Sequence, residues 1–314
     1  MNAVSHHRPL LAISFMCVGM FCVSLNDMAV KSLSGDYPLH QLVFLRSFIA
    51  LAMATAFLQF EGGFAALRVA NPGLHLVRAA LLVMANSCFY AALVAMPIAT
   101  ATAIYFVAPL IVTLLAIPVL GERVGPRRIA AISVGFCGVL VILGPEIASA
   151  AGLGWIVVLP VLAASGYATM SVLTRKLGAR APASVLSFWV QVAFLMSGGM
   201  MWLVAGDGRF AQAPDVSKSA DFLLRAWVWP DRGDWIWIAS LGILSGIVGY
   251  VMSQAYRLAA AATVAPFEYM LMLYALFWGW MVFGEWPGQT VFVGAGIIIS
   301  SGIYIVWRER GGRS

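Results

Sequence analysis

The sequence predicts an all-α membrane protein, with ten transmembrane helices arranged as two inverted five-helix repeats. Three observations lead there. Of the 314 residues, 62% are hydrophobic and only 10% are charged, and mean hydropathy is +0.91, whereas soluble domains carry about 25% charged residues. The Lys and Arg residues behind the net charge of +6 fall almost wholly between apolar runs. A stretch ending in Leu120-Gly121-Glu122 has a counterpart 163 residues later, ending in Phe283-Gly284-Glu285.

A spanning helix needs roughly 20 apolar residues, and turn residues, charges and Pro/Gly clusters punctuate the chain into such lengths. The first helix runs from Pro9 to Val30. His6, His7 and Arg8 before it imitate a signal peptide, but the apolar run to Leu25 exceeds an h-region. No A-x-A-like site follows before Lys31, so this helix is expected to be retained. The next four run from Pro38 to Phe60, Leu74 to Leu93, Pro97 to Leu120 and Arg127 to Leu143. The second five run from Leu153 to Leu173, Ala183 to Ala205, Asp234 to Tyr256, Ala261 to Phe283 and Gly288 to Trp307. Runs such as Ile129 to Leu143 are apolar all round, which excludes a transmembrane β-barrel with its alternating polarity.

With ten spans, thirteen of the 19 Lys and Arg residues lie on one side, five on the other, and Arg46 within a span. Basic loops face the cytoplasm, so both termini are expected there. The long loop 206–233 then lies outside. Its Phe222, Leu223, Leu224, Trp227 and Trp229 suggest an interfacial amphipathic helix. Trp155, Trp235, Trp237, Trp286 and Trp307, at span ends, read as interface anchors. Cys17, Cys22, Cys88 and Cys137 all lie in apolar segments and offer neither a disulfide framework nor a metal site.

The repeats divide the chain into 9–144 and 153–307. Leu33 and Pro38 match Leu177 and Pro182 at an offset of 144, and the change to 163 reflects the longer outer loop of the second copy. Five helices is an odd number, so the second copy enters the membrane upside down. Inverted repeats place a substrate site near the midplane and let the halves rock around it.

The duplicated unit, with P-x-A-T-A-T-A at Pro97 to Ala103, Gly-Glu after the fourth helix, Gly138-Val139 in the fifth and Arg46 in the second, resembles the EamA domain of the drug/metabolite transporter superfamily. The likeness runs from about Leu10 to Trp307. In length and plan the chain is similar to bacterial inner-membrane amino acid exporters, with the aromatic amino acid branch nearest. The second copy departs where Val190 replaces Arg46. It also lacks the cluster Arg123, Arg127 and Arg128 after its Gly-Glu, as expected for a loop facing outward. The resemblance implies a secondary transporter, not an enzyme, with a small-molecule substrate, the lipid bilayer as surroundings and no cofactor.

Ionisable groups within a span are expensive and read first as functional. Four qualify: Asp27, Arg46, Arg78 and Glu268. Helix direction places Asp27 and Arg46 at similar depth towards the outside, and Arg78 and Glu268 nearer the inside. This predicts an Asp27–Arg46 pair and an Arg78–Glu268 contact, acting as gates or, alternatively, as static braces; snorkelling is a further alternative for Arg78. Pro266 is expected to loosen the ninth helix beside Glu268, making that carboxyl the best candidate to titrate or to hold a substrate ammonium. Asn86 and Tyr90 share a helix face, as do Tyr250 and Gln254. With Thr102, Tyr105, Tyr167, Glu268 and Tyr269 they are expected to line a central cavity, ordinary helix packing being the alternative. Gly-Glu at Glu122 and at Glu285 is expected to fasten the following turn.

Other classes fall away. No Gly-Lys pair offers a P-loop, so transport must draw on a gradient. The four histidines, His6, His7, His40 and His75, lie at span ends or outside, which leaves an intramembrane hydrolase without a base. No carboxylate pair has metal-ligand spacing, and the basic excess is topological rather than a nucleic-acid surface. Polyanions such as sugar phosphates want several convergent cations; a single paired Arg46 favours a zwitterionic or neutral solute. One chain carrying both halves is expected to work as a monomer.

Overall fold

The computed structural model describes residues 9–67, 72–121, 125–148, 154–177, 183–211, 217–258 and 265–311. The expectations for His6, His7, Arg8, Arg123 and Glu122 lie outside these. The described residues form helices and connections, with no strand among them. Along the first half, α1 spans Pro9–Leu33, α2 Leu39–Phe60, α3 Pro72–Ala95, α4 Ile98–Tyr105, α5 Ala108–Leu120 and α6 Pro126–Ala148. Then come α7 (Val158–Leu177), α8 (Ala183–Ala205), α9 (Lys218–Leu224), α10 (Trp235–Leu258), α11 (Met270–Phe283) and α12 (Gln289–Gly311). Seven stretches are long and apolar enough to cross a membrane, α4 and α5 counting as one, and Ile129–Ile142, Phe267–Phe283 and Gln289–Tyr304 are shorter apolar helices.

The expected helix from Pro97 to Leu120 is broken at Phe106–Val107. Pro109 is the cause, because it has no N–H to return to the carbonyl of Tyr105. The ninth expected helix starts, within the described residues, as a 3-10 turn, Ala265–Tyr269, and becomes α-helical only at Met270. This is the loosening expected next to Pro266. Both α5 and α11 end on a left-handed glycine, Gly121 at φ 69° and Gly284 at φ 63°, where a side chain would be strained. The helix beginning at Pro126 runs through Pro145 to Ala148, a turn beyond the expected end.

Packing is reciprocal. Helix α6 lies along α12, and α2 along α8; α1 packs on α10 and α11, while α3 packs on α7 and α8. At the α6–α12 crossing a Cβ on Gly138 or Gly294 would strike the other helix's backbone, so glycine permits the approach. Within the long loop, α9 is not an interfacial helix. Ser217 caps its start, Phe222 is fully buried, and the Ser219 hydroxyl donates to the Ala91 carbonyl at 2.6 Å. Only seven residues long, it buries its apolar side against α3 and α2. Gln41 and Val228 exchange hydrogen bonds of 2.6 and 3.1 Å, and the Tyr37 hydroxyl donates to Asp234 at 2.7 Å, which fasten the loop across the ends of α1 and α2. The five anchor tryptophans are all exposed.

Candidate functional site

At the heart of the bundle the sequence placed a cation in an apolar helix, and folding surrounds it with neutral acceptors. Arg46 is 4% exposed. Its Nη1 donates to Asn26 Oδ1 (2.9 Å) and to the Tyr90 hydroxyl (3.1 Å), and its Nη2 to Asn86 Oδ1 (2.7 Å). The Tyr90 hydroxyl donates to Asn26 Oδ1 at 2.9 Å, and Asn26 Nδ2 reaches Ser245 Oγ and the Leu241 carbonyl of α10. The guanidinium also faces the rings of Tyr90 and Phe194, at 5.2 and 5.4 Å, a favourable place for a cation. Four helices thus converge on one charge.

Aromatic rings continue from this cluster. Phe89 lies 6.0 Å from Tyr90 and 5.1 Å from Tyr105, which lies 5.8 Å from Tyr167. Tyr105 is within electrostatic reach of Tyr167, Glu268, Asp27 and Tyr90. Both Asp27 and Glu268 are thus within reach of this one ring. Tyr269 meets Phe106 edge-on at 5.2 Å, and its hydroxyl rests against Gly302. Asn86, Tyr105, Tyr167, Glu268 and Tyr269 are only half-buried although they belong to interior helix faces.

The EamA-like transporter family model matches residues 10–144. A riboflavin transporter of Rhizobium johnstonii is 30% identical over 309 residues, covering 98% of this chain and 94% of its own. The chain belongs to the EamA-like transporter family. Other relatives of this EamA-like transporter include the S-adenosylmethionine uptake transporter of Rickettsia prowazekii, 22% identical over 96% of this chain and 94% of the relative. A pseudopaline exporter of Pseudomonas aeruginosa is 25% identical over 93% and 94%. A solved crystal structure shares the fold, with a TM-score of 0.65 at 20% identity, covering 96% of this chain and 99% of the other. The protein is a multi-pass membrane protein, and its relatives are transporters rather than enzymes.

Against this geometry the two expected ion pairs are corrected. Arg46 spends its fork on Asn26, Asn86 and Tyr90; Asp27 makes no direct ion pair with it but lies within electrostatic reach, joined to the same cluster through the Tyr90 hydroxyl. Arg78 does not meet Glu268; its Nη2 donates to the Leu186 carbonyl at 3.4 Å. Arg78 is buried at 6% exposure, so it does not snorkel. Of the expected lining residues, Asn86, Tyr90, Tyr105 and Tyr167 join the central group, while Thr102 is enclosed at 1%. Tyr250 and Gln254 belong elsewhere. Tyr250 stacks on Phe57 at 4.6 Å and accepts from Gln254 Nε2 at 2.9 Å, and Gln254 donates to Glu61 at 3.4 Å. Phe57 is about 16 Å along α2 from Arg46 at 1.5 Å per residue.

Three polar residues of this EamA-like transporter were not picked out from sequence. Asn26 sits beside Asp27, and a lone amide in a span was itself the signal. Glu61 falls just past the expected helix end at Phe60, yet its Oε2 accepts from the Ser184 amide at 3.1 Å, at the start of α8. Lys31, counted only as an outer charge, donates to Glu285 Oε1 at 2.6 Å and to the Met96 carbonyl at 3.0 Å. Glu285 Oε2 accepts from the Ile98 amide at 3.2 Å. Glu285 therefore braces the start of α4, in the other half of the chain, rather than its own following turn.

Proposed function

We propose that this chain is a ten-span carrier of two inverted five-helix repeats, 9–144 and 153–307, with both termini cytoplasmic, moving a small ring-bearing metabolite by alternating access. The reciprocal packing supports the repeat. Exchanging first-half helices for their second-half counterparts turns the α1–α10 contact into α7–α3, and leaves α2–α8 and α6–α12 unchanged. A flavin is the first candidate solute. The observation that carries this reading is the run of rings Phe89, Tyr90, Tyr105 and Tyr167 beside the Arg46 donors, since flat heteroaromatic rings stack on such faces. The riboflavin-transporting relatives point the same way. Aromatic amino acid export is the second reading, favoured by Arg46 and Glu268 flanking the same rings, a spacing of opposite charges suited to a zwitterion.

The test is uptake and countertransport in proteoliposomes of labelled riboflavin, S-adenosylmethionine and the aromatic amino acids, with and without a pH gradient. Saturable riboflavin countertransport is expected. Movement of a sugar phosphate, with none of a ring-bearing solute, would overturn the reading.

A further inference from the structure

Among the described residues two arginines are buried, and they are treated very differently by their surroundings. Arg46 has three side-chain acceptors. Arg78, in the second turn of α3, has one carbonyl at 3.4 Å, and its Nε and Nη1 are buried without any acceptor. A guanidinium stays charged in proteins and carries five N–H donors, and leaving such donors dry and unpaired is costly. Nη2 has two hydrogens, one along each edge of the planar fork. Whichever of them the Leu186 carbonyl takes, the other edge keeps both of its donors, shared with Nε or with Nη1. Two adjacent donors on one edge are the pattern that a carboxylate or phosphate accepts bidentately. The carboxylate of Glu61 accepts from the Ser184 amide, two residues before Leu186, and from Gln254.

We propose that Arg78 is an anion subsite on the inner side of the bundle, taking a single carboxylate or phosphate group carried by the transported solute. This rests on the carrier reading above for the solute, but not for the binding of the anion itself. Phe89 and Tyr90 lie on α3 with Arg78, about 17–18 Å further along it at 1.5 Å per residue. Engaging the rings and Arg78 together takes a solute whose anionic group sits on a long arm.

The first experiment is thermal unfolding of the purified full chain in detergent, titrated with inorganic phosphate or with acetate at constant ionic strength set by chloride. A saturable rise in Tm is expected for the wild type and its loss in Arg78→Gln. No rise in the wild type, or an equal rise in Arg78→Gln, overturns the proposal. If Arg78→Gln does not fold, Arg78→Lys keeps the charge without the fork and is expected to lose most of the rise; a full rise in it has the same overturning weight. The second experiment identifies the source of the group by equilibrium dialysis of labelled riboflavin against its labelled 5′-phosphate, and of labelled tryptophan against labelled tryptophan amide. The member of one pair that carries the phosphate or carboxylate is expected to bind about tenfold tighter or more, as two charge-assisted hydrogen bonds allow, and Arg78→Gln to remove that preference while sparing the member that lacks the group. A preference that survives Arg78→Gln overturns the proposal. Failure of all ring-bearing solutes to bind, with the phosphate or acetate effect intact, sinks the solute reading instead.

Discussion

Removing the Lys31–Glu285 contact is the perturbation whose cost is best defined. Lys31 Nζ is 2.6 Å from Glu285 Oε1, with side-chain exposures of 9% and 26%, and the other carboxylate oxygen holds the Ile98 amide. Breaking a fully buried pair by deleting one partner costs about 3–5 kcal/mol. Glu285 keeps a quarter of its surface open, so about 2–3 kcal/mol is the appropriate share for the charge it leaves stranded. Loss of the acceptor at the start of α4 adds about 1 kcal/mol. Glu285→Ala should therefore cost about 3–4 kcal/mol, being the sum of those two effects. Glu285→Gln, which keeps an acceptor for Ile98, should cost about 1 kcal/mol less. Lys31→Met removes the cation itself, so adding it to Glu285→Gln should recover part of the loss. The double-mutant cycle should show a coupling of about 1.5–3 kcal/mol. The assay is equilibrium unfolding in mixed micelles followed by the fluorescence of the 11 tryptophans. A coupling below about 0.5 kcal/mol, the size of additivity errors, would refute the reasoning.

Four further outcomes are expected. Glu268→Gln should slow transport and flatten its pH dependence in proteoliposomes; an unchanged rate and profile would remove Glu268 from the cycle. Arg46→Lys cannot supply the fork to Asn26, Asn86 and Tyr90 together, so it should lower solute affinity by about tenfold or more, read by fluorescence titration. Gly294→Leu should destabilise by more than about 3 kcal/mol or misassemble α6 against α12, because overpacking by one methylene alone costs about 1–3 kcal/mol and the added side chain meets Ile142 and the Gly138 carbonyl; a native melting curve would contradict the close crossing. Burial first, and the neighbouring Asp234 carboxylate next, hold the Tyr37 phenol above its ordinary value. The neutral phenol's contribution is thus complete below about pH 10 and is lost as pH rises through the folded value. Tyr37→Phe should erase that alkaline loss in a pH series of unfolding curves.

The membrane plan was legible because it rests on composition and period. Apolar length gave the helices, and Pro266 marked one place where backbone hydrogen bonds would fail; the break before Pro109 went unread, because the apolar run continues through it. The pairings were not legible to the same degree. Which of two adjacent polar residues, Asn26 or Asp27, takes the direct hydrogen bond from Arg46 and which reaches it only through Tyr90 depends on a rotation of about 100° that no turn residue sets. The Glu61–Ser184 and Glu285–Ile98 contacts join residues far apart in sequence, from a carboxylate to a backbone amide. An amide leaves no mark in residue type, so neither contact has a signature to read. Lys31 looked like one more topological charge because a count of charges by side discards depth.

Those two carboxylate braces have a practical consequence. Glu285 grips the start of α4 at the end of the bundle where α1 meets α2, and Glu61 grips the start of α8 at the opposite end. Each is a single-residue handle confined to one mouth of the protein. On the carrier reading, a pair of point variants, one per handle, would yield two preparations with their conformational populations biased in opposite directions from the same chain. Such a matched set would let binding from the two faces of the membrane be measured separately.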